Sequence, residues 1–131
     1  MSLLLDTCTF LWLIWDEAPL GPAMREILSD ARHAAYLSAV SVWEATSKHR
    51  LGRLHLNTSE PAWQHFTRQR ELHGVQPLAV TETDSRHIAN LPDIHRDPFD
   101  RLLICQAIEH GLTLVTPDPA IRRYPIKTLW V

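Results

Sequence analysis

The sequence has few cysteines and no excess of positive charge, and each shortage excludes a class of protein. Cys8 and Cys105 are the only cysteines in 131 residues, and they form no CxxC pair. A disulfide-stabilised scaffold is therefore excluded, and we expect both to be reduced core thiols of a cytoplasmic protein. The formal net charge of −2 excludes a strongly basic nucleic-acid binder of the histone kind. It does not exclude a nuclease, because metal ions can supply positive charge beside a phosphate.

The chain also lacks a long uninterrupted hydrophobic run and a targeting signal. Its apolar start, residues 1–15, is interrupted by Asp6, and the first basic residue is Arg25. A signal peptide or a membrane-spanning helix is therefore not expected. The eight histidines form no HExxH or related metal-binding spacing. We interpret them as surface or packing residues, with His95 the only one near the candidate site.

Segments typical of strands and of helices alternate along the whole chain. Short apolar runs predict strands at residues 3–5, 35–38, 75–80, 112–116 and 126–131. Capping residues and apolar periodicity predict helices at residues 7–15, 23–32, 41–51, 61–73, 81–91 and 98–110. This alternation predicts one α/β domain over residues 1–131, with a mainly parallel sheet flanked by helices.

The segment HRDPFDRLLICQA, residues 95–107, contains the start of the most clearly marked helix. Asp97 is a suitable N-cap, and Pro98 fits the first helical position, where its missing N–H is not needed. The helix is apolar over most of its surface, so the fold should nearly enclose it. Asp100 lies in the first turn, where it either complements the helix dipole or belongs to a functional site.

Three further acids follow predicted strands. Asp6 ends the first strand and Asp118 follows the fourth, and each could simply cap the helical turn that comes next. A carboxylate at the end of a strand buried on both faces is costly, which favours a function for Asp6. Glu44 is also ambiguous, because it could form a capping box with Ser41 or an ion pair with Lys48.

We expect these acids to meet at one edge of the sheet, since ligands bind outside the carboxyl ends of parallel strands. Several carboxylates at one edge repel each other unless a cation lies among them. Oxygen ligands, without cysteine or histidine at metal-binding spacing, favour Mg²⁺ or Mn²⁺ over zinc. Such a site activates water and stabilises charge on a phosphoryl group during hydrolysis.

Basic and aromatic residues in the middle of the chain allow more than one interpretation. Lys48, Arg50 and Arg53 form a basic patch that is either a solvated helix face or a phosphate contact. Trp63 and Phe66 could stack on bases, pack in the core or contact a partner. Other aromatic residues are assigned to the core or a dimer interface: Trp12, Trp15 and Trp43.

The sequence resembles the PIN-domain ribonucleases of the VapC toxin type over nearly its whole length. The segments LLLDTCTFLWL, LSAVSVWEATSKHRLGRL, HRDPFDRLLICQA and LTLVTPDPAI are similar to the acid-bearing segments of that family. The resemblance implies a PIN-like three-layer α/β sandwich with a mainly parallel central sheet. It implies that the catalytic, metal-binding acids are Asp6, Glu44, Asp100 and Asp118. Asp97 is either the N-cap or an auxiliary metal ligand, and it could share the role of Asp100.

The same resemblance implies an activity and partners. It predicts an endoribonuclease that depends on Mg²⁺ or Mn²⁺ and acts as the toxin of a toxin–antitoxin pair. The implied partners are a second copy of the chain, in a homodimer, and a cognate antitoxin whose tail covers the active site. Thr7, Thr116 and Arg101 are candidates for supporting polar roles, although Thr7 and Thr116 could equally be structural.

Three alternative functions are compared with this one. A catalytically silent PIN-fold module that binds other proteins would keep the fold, but the presence of all four acids argues against it. A DNA-directed nuclease would use the same site, and the lack of an arch-like insertion favours a small RNA target instead. A phosphorylated receiver domain would need a lysine at a later strand end, and no lysine occurs between Lys48 and Lys127.

Overall fold

Five short strands form one sheet at the centre of the molecule. The computed structural model describes residues 1–131. The strands are β1 (Ser2–Leu5), β2 (Ala34–Ser38), β3 (Gln76–Leu78), β4 (Thr113–Val115) and β5 (Thr128–Leu129). Their order across the sheet is β3-β2-β1-β4-β5, and every neighbouring pair is parallel. The predicted α/β class is confirmed, and the sheet is wholly rather than mainly parallel.

Helices connect these strands. The α-helices are α1 (Thr7–Trp15), α2 (Pro22–Ser29), α3 (Ala39–Arg50), α4 (Ala62–Leu72) and α5 (Pro98–His110). Two 3-10 segments complete the fold, at Glu82–Asn90 and Ile121–Arg123. None of these helices combines the length and the hydrophobicity that crossing a bilayer requires.

The central strand β1 contributes to two hydrophobic cores because its side chains alternate between the faces of the sheet. Leu3 and Leu5 pack on one face with Phe10, and Leu4 packs on the other with Leu103 and Ile104 of α5. All six of these side chains have no solvent exposure. Burial on both faces explains why β1 reads as a continuous apolar run rather than an alternating one.

Helix boundaries agree best with the sequence where a capping residue is present. Helix α1 has its predicted bounds, and α5 begins at Pro98 with Asp97 as N-cap. Gly111 ends α5 in the left-handed conformation, at φ 63°. Other segments differ from their predicted bounds or type: α2 ends at Ser29 and β5 covers only Thr128–Leu129. Residues 82–90 form a 3-10 rather than an α-helix, although Thr81 and Asp84 form a capping box at its start.

The capping box predicted for Ser41 and Glu44 is wrong, because α3 begins two residues earlier than predicted. Ser38, the last residue of β2, is the N-cap and accepts a hydrogen bond from the Val40 backbone N–H at 3.1 Å. Ser41 is instead buried in the first turn of α3, with its Oγ 3.0 Å from Oγ1 of Thr7. The carboxylate of Glu44 is therefore available for other contacts.

The aromatic residues of α4 lie in different environments. Phe66 is fully buried, whereas Trp63 is 56% exposed. Core packing is therefore the correct interpretation for Phe66, and the two rings do not form one stacking surface. Trp43 is also exposed, so of its two predicted locations the core is wrong and a dimer interface stays a prediction. Trp12 packs edge-on against Trp130 with ring centroids 6.0 Å apart.

Candidate active site

The carboxyl end of the sheet carries a cleft of about 420 Å³ that all five predicted acids line. Asp6 follows β1, Glu44 lies on α3 and Asp118 follows β4. Asp97 and Asp100 come from the start of α5. The parallel sheet brings these distant parts of the chain together, because the carboxyl ends of its central strands meet at one edge.

Asp6 is both the N-cap of α1 and a buried acid. Its Oδ1 accepts a hydrogen bond from the Thr9 backbone N–H at 2.8 Å. Burial raises the pKa of Asp6 and repulsion from Asp118 adds to this, while hydrogen bonds from Thr116 and Thr9 oppose the shift. Thr116 therefore acts as a polar neighbour of Asp6. Capping and a role in the cleft are compatible, since a carboxylate accepts several hydrogen bonds or metal contacts.

Glu44 is buried between two donors. The Thr7 hydroxyl donates to Oε1 at 2.7 Å, and Nζ of Lys48 lies 2.9 Å from Oε2. The structure thus contains the predicted Glu–Lys pair and assigns a polar partner role to Thr7. Because Lys48 is paired with Glu44, it is not free to act as the phosphate contact considered for the basic patch.

Asp97 and Asp100 differ in their contacts although only two residues separate them. Oδ1 of Asp97 accepts hydrogen bonds from the backbone N–H of Phe99 at 2.8 Å and of Asp100 at 3.4 Å. Asp97 is therefore the N-cap of α5. Burial, followed by repulsion from Asp97, raises the pKa of Asp100 to about 7, with smaller contributions from Glu44 and Asp6 and opposition from His95. The pKa of Asp100 is thus raised first by burial and then by the neighbouring acids of the cleft.

The loop around Asp118 orients its carboxylate by hydrogen bonds at both ends of the residue. Its backbone N–H donates to Oγ1 of Thr116 at 3.1 Å, and its Oδ1 accepts from the Ala120 backbone N–H at 2.8 Å. Pro117 and Pro119 flank it and restrict the backbone further. The carboxylate nevertheless lines the cleft with the other acids.

His95 belongs to this cluster, and the interpretation of all histidines as surface or packing residues is wrong for it. Its Nε2 lies 3.0 Å from Oδ2 of Asp118 and 3.1 Å from Oδ2 of Asp100. One atom from each of these three side chains lies within 4.8 Å of the others. The available signal in the sequence was position alone, since His95 precedes the N-cap of α5 by two residues.

Arg101, a candidate for a supporting polar role, holds the loop that carries His95. Arg101 donates from Nη1 to the carbonyl oxygens of Pro92 at 3.2 Å and His95 at 3.3 Å, so it anchors the loop before α5.

The two cysteines, both predicted to be core thiols, lie in different environments. Cys105 is buried as predicted, but Cys8 is exposed to solvent and lines the cleft. Desolvation of its sulfur, and then the charge of Asp6, raise the pKa of Cys8 to about 11. The Cys8 thiol is therefore protonated at neutral pH and is a poor nucleophile.

The donor set of the cleft fits a hard divalent cation. Five carboxylates supply oxygen ligands, which Mg²⁺ and Mn²⁺ prefer. Burial is the main cause of the raised pKa of Asp100, and repulsion from Asp97, Glu44 and Asp6 adds to it. A cation among the acids would offset that repulsion. Asp6, Glu44, Asp100 and Asp118 are the residues that would hold it, with Asp97 able to contribute the carboxylate oxygen that caps no backbone N–H.

The family model of the PIN domain matches residues 3–127, which include every acid of the cleft. The chain belongs to the PIN-domain family. Comparison with curated protein sequences finds no significant match. The family assignment therefore rests on a pattern that spans nearly the whole PIN domain rather than on one close relative.

Solved structures with the same fold agree with this assignment. VapBC2 from Rickettsia felis, bound to a DNA fragment from its promoter, aligns with a TM-score of 0.72 at 14% identity, covering 98% of both chains. VapBC-1 from nontypeable Haemophilus influenzae aligns with a TM-score of 0.69 at 18% identity, covering 98% of this PIN domain and 97% of that chain. FitAcB from Neisseria gonorrhoeae aligns with a TM-score of 0.54 at 21% identity, covering 98% and 96%. The resemblance to VapC-type PIN domains is confirmed in fold.

Proposed function

We propose that this PIN domain is a metal-dependent endoribonuclease that acts as the toxin of a toxin–antitoxin pair. The observation that carries the proposal is the convergence of five carboxylates in one cleft at the carboxyl end of the sheet. Like charges at this density are unfavourable without a cation, and ionisable groups with perturbed pKa values in a cleft are typical of functional sites. Membership of the PIN family and the fold shared with VapBC proteins support the toxin assignment.

The chemistry proposed is hydrolysis of an RNA phosphodiester bond by in-line attack of water. Mg²⁺ or Mn²⁺, held by Asp6, Glu44, Asp100 and Asp118, would lower the pKa of water and offset charge on the phosphoryl group. The hydroxyl of Thr7 and the ammonium group of Lys48 orient Glu44, while Thr116 orients the Asp118 loop. The acids also orient the attacking water, and no side chain becomes covalently modified.

The toxin assignment includes two protein partners. A homodimer and a cognate antitoxin are part of the proposal, and the VapBC and FitAcB neighbours support the second of these. Light scattering of the purified chain tests the dimer directly: twice the mass of 15.0 kDa is expected. A mass of one chain at micromolar concentration would contradict the homodimer without affecting the nuclease assignment.

The nuclease assignment is tested with the protein purified free of any antitoxin. It is incubated with single-stranded RNA, structured RNA and DNA of matched sequence, in Mg²⁺, in Mn²⁺ or in EDTA. We expect cleavage of RNA that requires the metal and is lost in Asp6→Asn and Asp118→Asn. Glu26→Gln is the matched control, because it removes one carboxylate on the exposed face of α2 and should leave cleavage unchanged.

Each alternative function has its own result in this experiment. Cleavage of DNA in preference to RNA would indicate the DNA-directed nuclease. Failure to cleave any nucleic acid, with no heat of Mg²⁺ or Mn²⁺ binding in calorimetry, would leave the protein-binding module as the better account. Metal binding with no cleavage of these substrates would contradict general RNA hydrolysis but not the metal site.

A further inference from the structure

His95 is held in place by contacts with five other residues. Its backbone N–H donates to the Tyr124 hydroxyl at 2.8 Å, and its carbonyl oxygen accepts from Arg101 at 3.3 Å. Its Nδ1 accepts from the Asp97 backbone N–H at 3.1 Å, and its Nε2 lies beside Asp118 and Asp100. Backbone and ring are thus both anchored, which is typical of a side chain with one required orientation.

The contact at Nδ1 determines which ring nitrogen carries the proton. A nitrogen that accepts a hydrogen bond from a backbone N–H must present its lone pair, so Nδ1 of His95 is unprotonated. The proton of the neutral ring is therefore on Nε2. From there it donates to Oδ2 of Asp118 at 3.0 Å and lies 3.1 Å from Oδ2 of Asp100.

The same contact argues against His95 as a metal ligand. A ligating Nε2 would need its lone pair free, and the ring proton would then sit on Nδ1, facing the Asp97 N–H. Histidines that bind metals usually donate from their second nitrogen to a carboxylate, a carbonyl or water. Here that nitrogen faces a backbone donor instead, at the N-cap of α5.

We propose that His95 is a positioning residue that aligns Asp100 and Asp118 through its Nε2–H and is not itself a ligand. This inference rests on the proposed metal site and adds the residue that orients two of its acids. Aspartates that bind metals are themselves oriented by hydrogen-bond donors, whose loss typically weakens metal affinity about 10- to 100-fold. If His95 is not a ligand, the site offers a metal ion only oxygen ligands, which are the kind that Mg²⁺ prefers.

A matched pair of substitutions tests whether an N–H donor is needed at the position of Nε2. The amide of His95→Gln keeps an N–H near the position of Nε2 but offers no nitrogen lone pair to a metal, whereas His95→Ala removes both. In titration calorimetry with Mg²⁺ and with Mn²⁺, we expect about a tenfold or larger loss of affinity in His95→Ala. His95→Gln should recover most of it, and His73→Gln, at an exposed histidine, is the control. An equal loss in His95→Gln and His95→Ala would overturn the positioning role.

Nuclear magnetic resonance of the imidazole tests the proton position without any activity. We expect the His95 proton on Nε2 both before and after Mg²⁺ is added. In the metal-free protein, His95→Ala should also shift the carboxyl carbon signals of Asp100 and Asp118 more than that of Glu26. A proton found on Nδ1 in the metal-free protein would overturn the donor role, and one that moves there when Mg²⁺ binds would show that His95 is a ligand.

These readouts distinguish failure of the inference from failure of the proposed function. If the wild-type protein binds no divalent metal, the proposed site fails, while the proton on Nε2 and the two carboxyl shifts still test the alignment of the acids. If the metal binds equally well to wild type and His95→Ala, the site stands and the role of His95 is wrong.

Discussion

The Thr7 hydroxyl donates a hydrogen bond of 2.7 Å to Glu44, and this bond joins the start of α1 to α3 across the acid cleft. Both residues are buried, and 37 positions of sequence separate them. Glu44 reaches the cleft from the interior of a helix rather than from the end of a strand. The bond to Thr7, together with the ion pair to Lys48, fixes where its carboxylate points.

Replacing Thr7 tests the importance of this bond. Thr7→Val keeps the shape but removes the donor, so the buried Glu44 loses a hydrogen bond at a cost of about 1–3 kcal/mol. Thr7→Ser retains a hydroxyl and should lose much less. Urea denaturation of the metal-free proteins gives the free energies of unfolding, and a Thr7→Val protein as stable as Thr7→Ser would contradict the expected role.

Substitutions at Asp97 separate helix capping from metal binding. Asp97→Asn keeps an oxygen acceptor for the N–H groups of Phe99 and Asp100, so its stability should stay close to wild type. Asp97→Ala removes the acceptor and should cost about 1 kcal/mol. Thermal or urea denaturation measures both. We further expect calorimetry to show a smaller loss of Mg²⁺ affinity in Asp97→Asn than in Asp100→Asn, and the reverse order would make Asp97 the principal ligand.

The raised pKa of Asp100 predicts how the stability of the metal-free protein depends on pH. The pKa is about 7 in the folded protein against 3.8 for the free side chain, so the folded state binds more protons between these values. Stability is therefore highest at low pH within this window and falls as the pH rises from 4 towards 7. The raised pKa of Asp6 acts in the same direction.

Melting temperatures between pH 5 and pH 8 check this dependence. In EDTA, the wild-type protein should melt at a lower temperature at pH 8 than at pH 5, and Asp100→Asn should reduce the difference. At pH 8, saturating Mg²⁺ should raise the melting temperature, since a ligand that binds only the folded state stabilises it by about 2.7 kcal/mol at 100 times its Kd. A wild-type protein in EDTA that is more stable at pH 8 would contradict the assigned pKa.

Truncation of the two aromatic residues of α4 should change stability by very different amounts. Phe66 is fully buried, and Phe66→Ala should cost about 3–5 kcal/mol because it leaves a cavity. Trp63 is 56% exposed, and Trp63→Ala should change the free energy of unfolding by about 0.5 kcal/mol or less. Urea denaturation of the two variants under the same conditions measures the contrast.

Much of the fold follows from local features of the sequence. The apolar run before Asp6 predicts a buried strand, and the Asp97-Pro98 pair predicts the start of α5, because both signals act between neighbouring residues. Gly111 marks the end of α5 for the same kind of reason. The order of strands and helices is enough to indicate a parallel sheet, and the parallel sheet is enough to place Asp6 and Asp118 at one edge.

The tertiary structure decided what depends on distant contacts. The start of α3 at Ala39 follows from its direct connection to β2. Ser38 and Ser41 are both suitable caps in the sequence, and only the structure shows that Ser38 is the one used. The position of His95 among the acids depends on contacts with Asp97, Tyr124 and Arg101, and the last two lie 29 and 6 residues away. The sequence predicts the capped start of α5 and the buried strand β1 because capping and apolar runs involve neighbouring residues. Which side chains meet in the cleft is decided only when the sheet brings distant segments together.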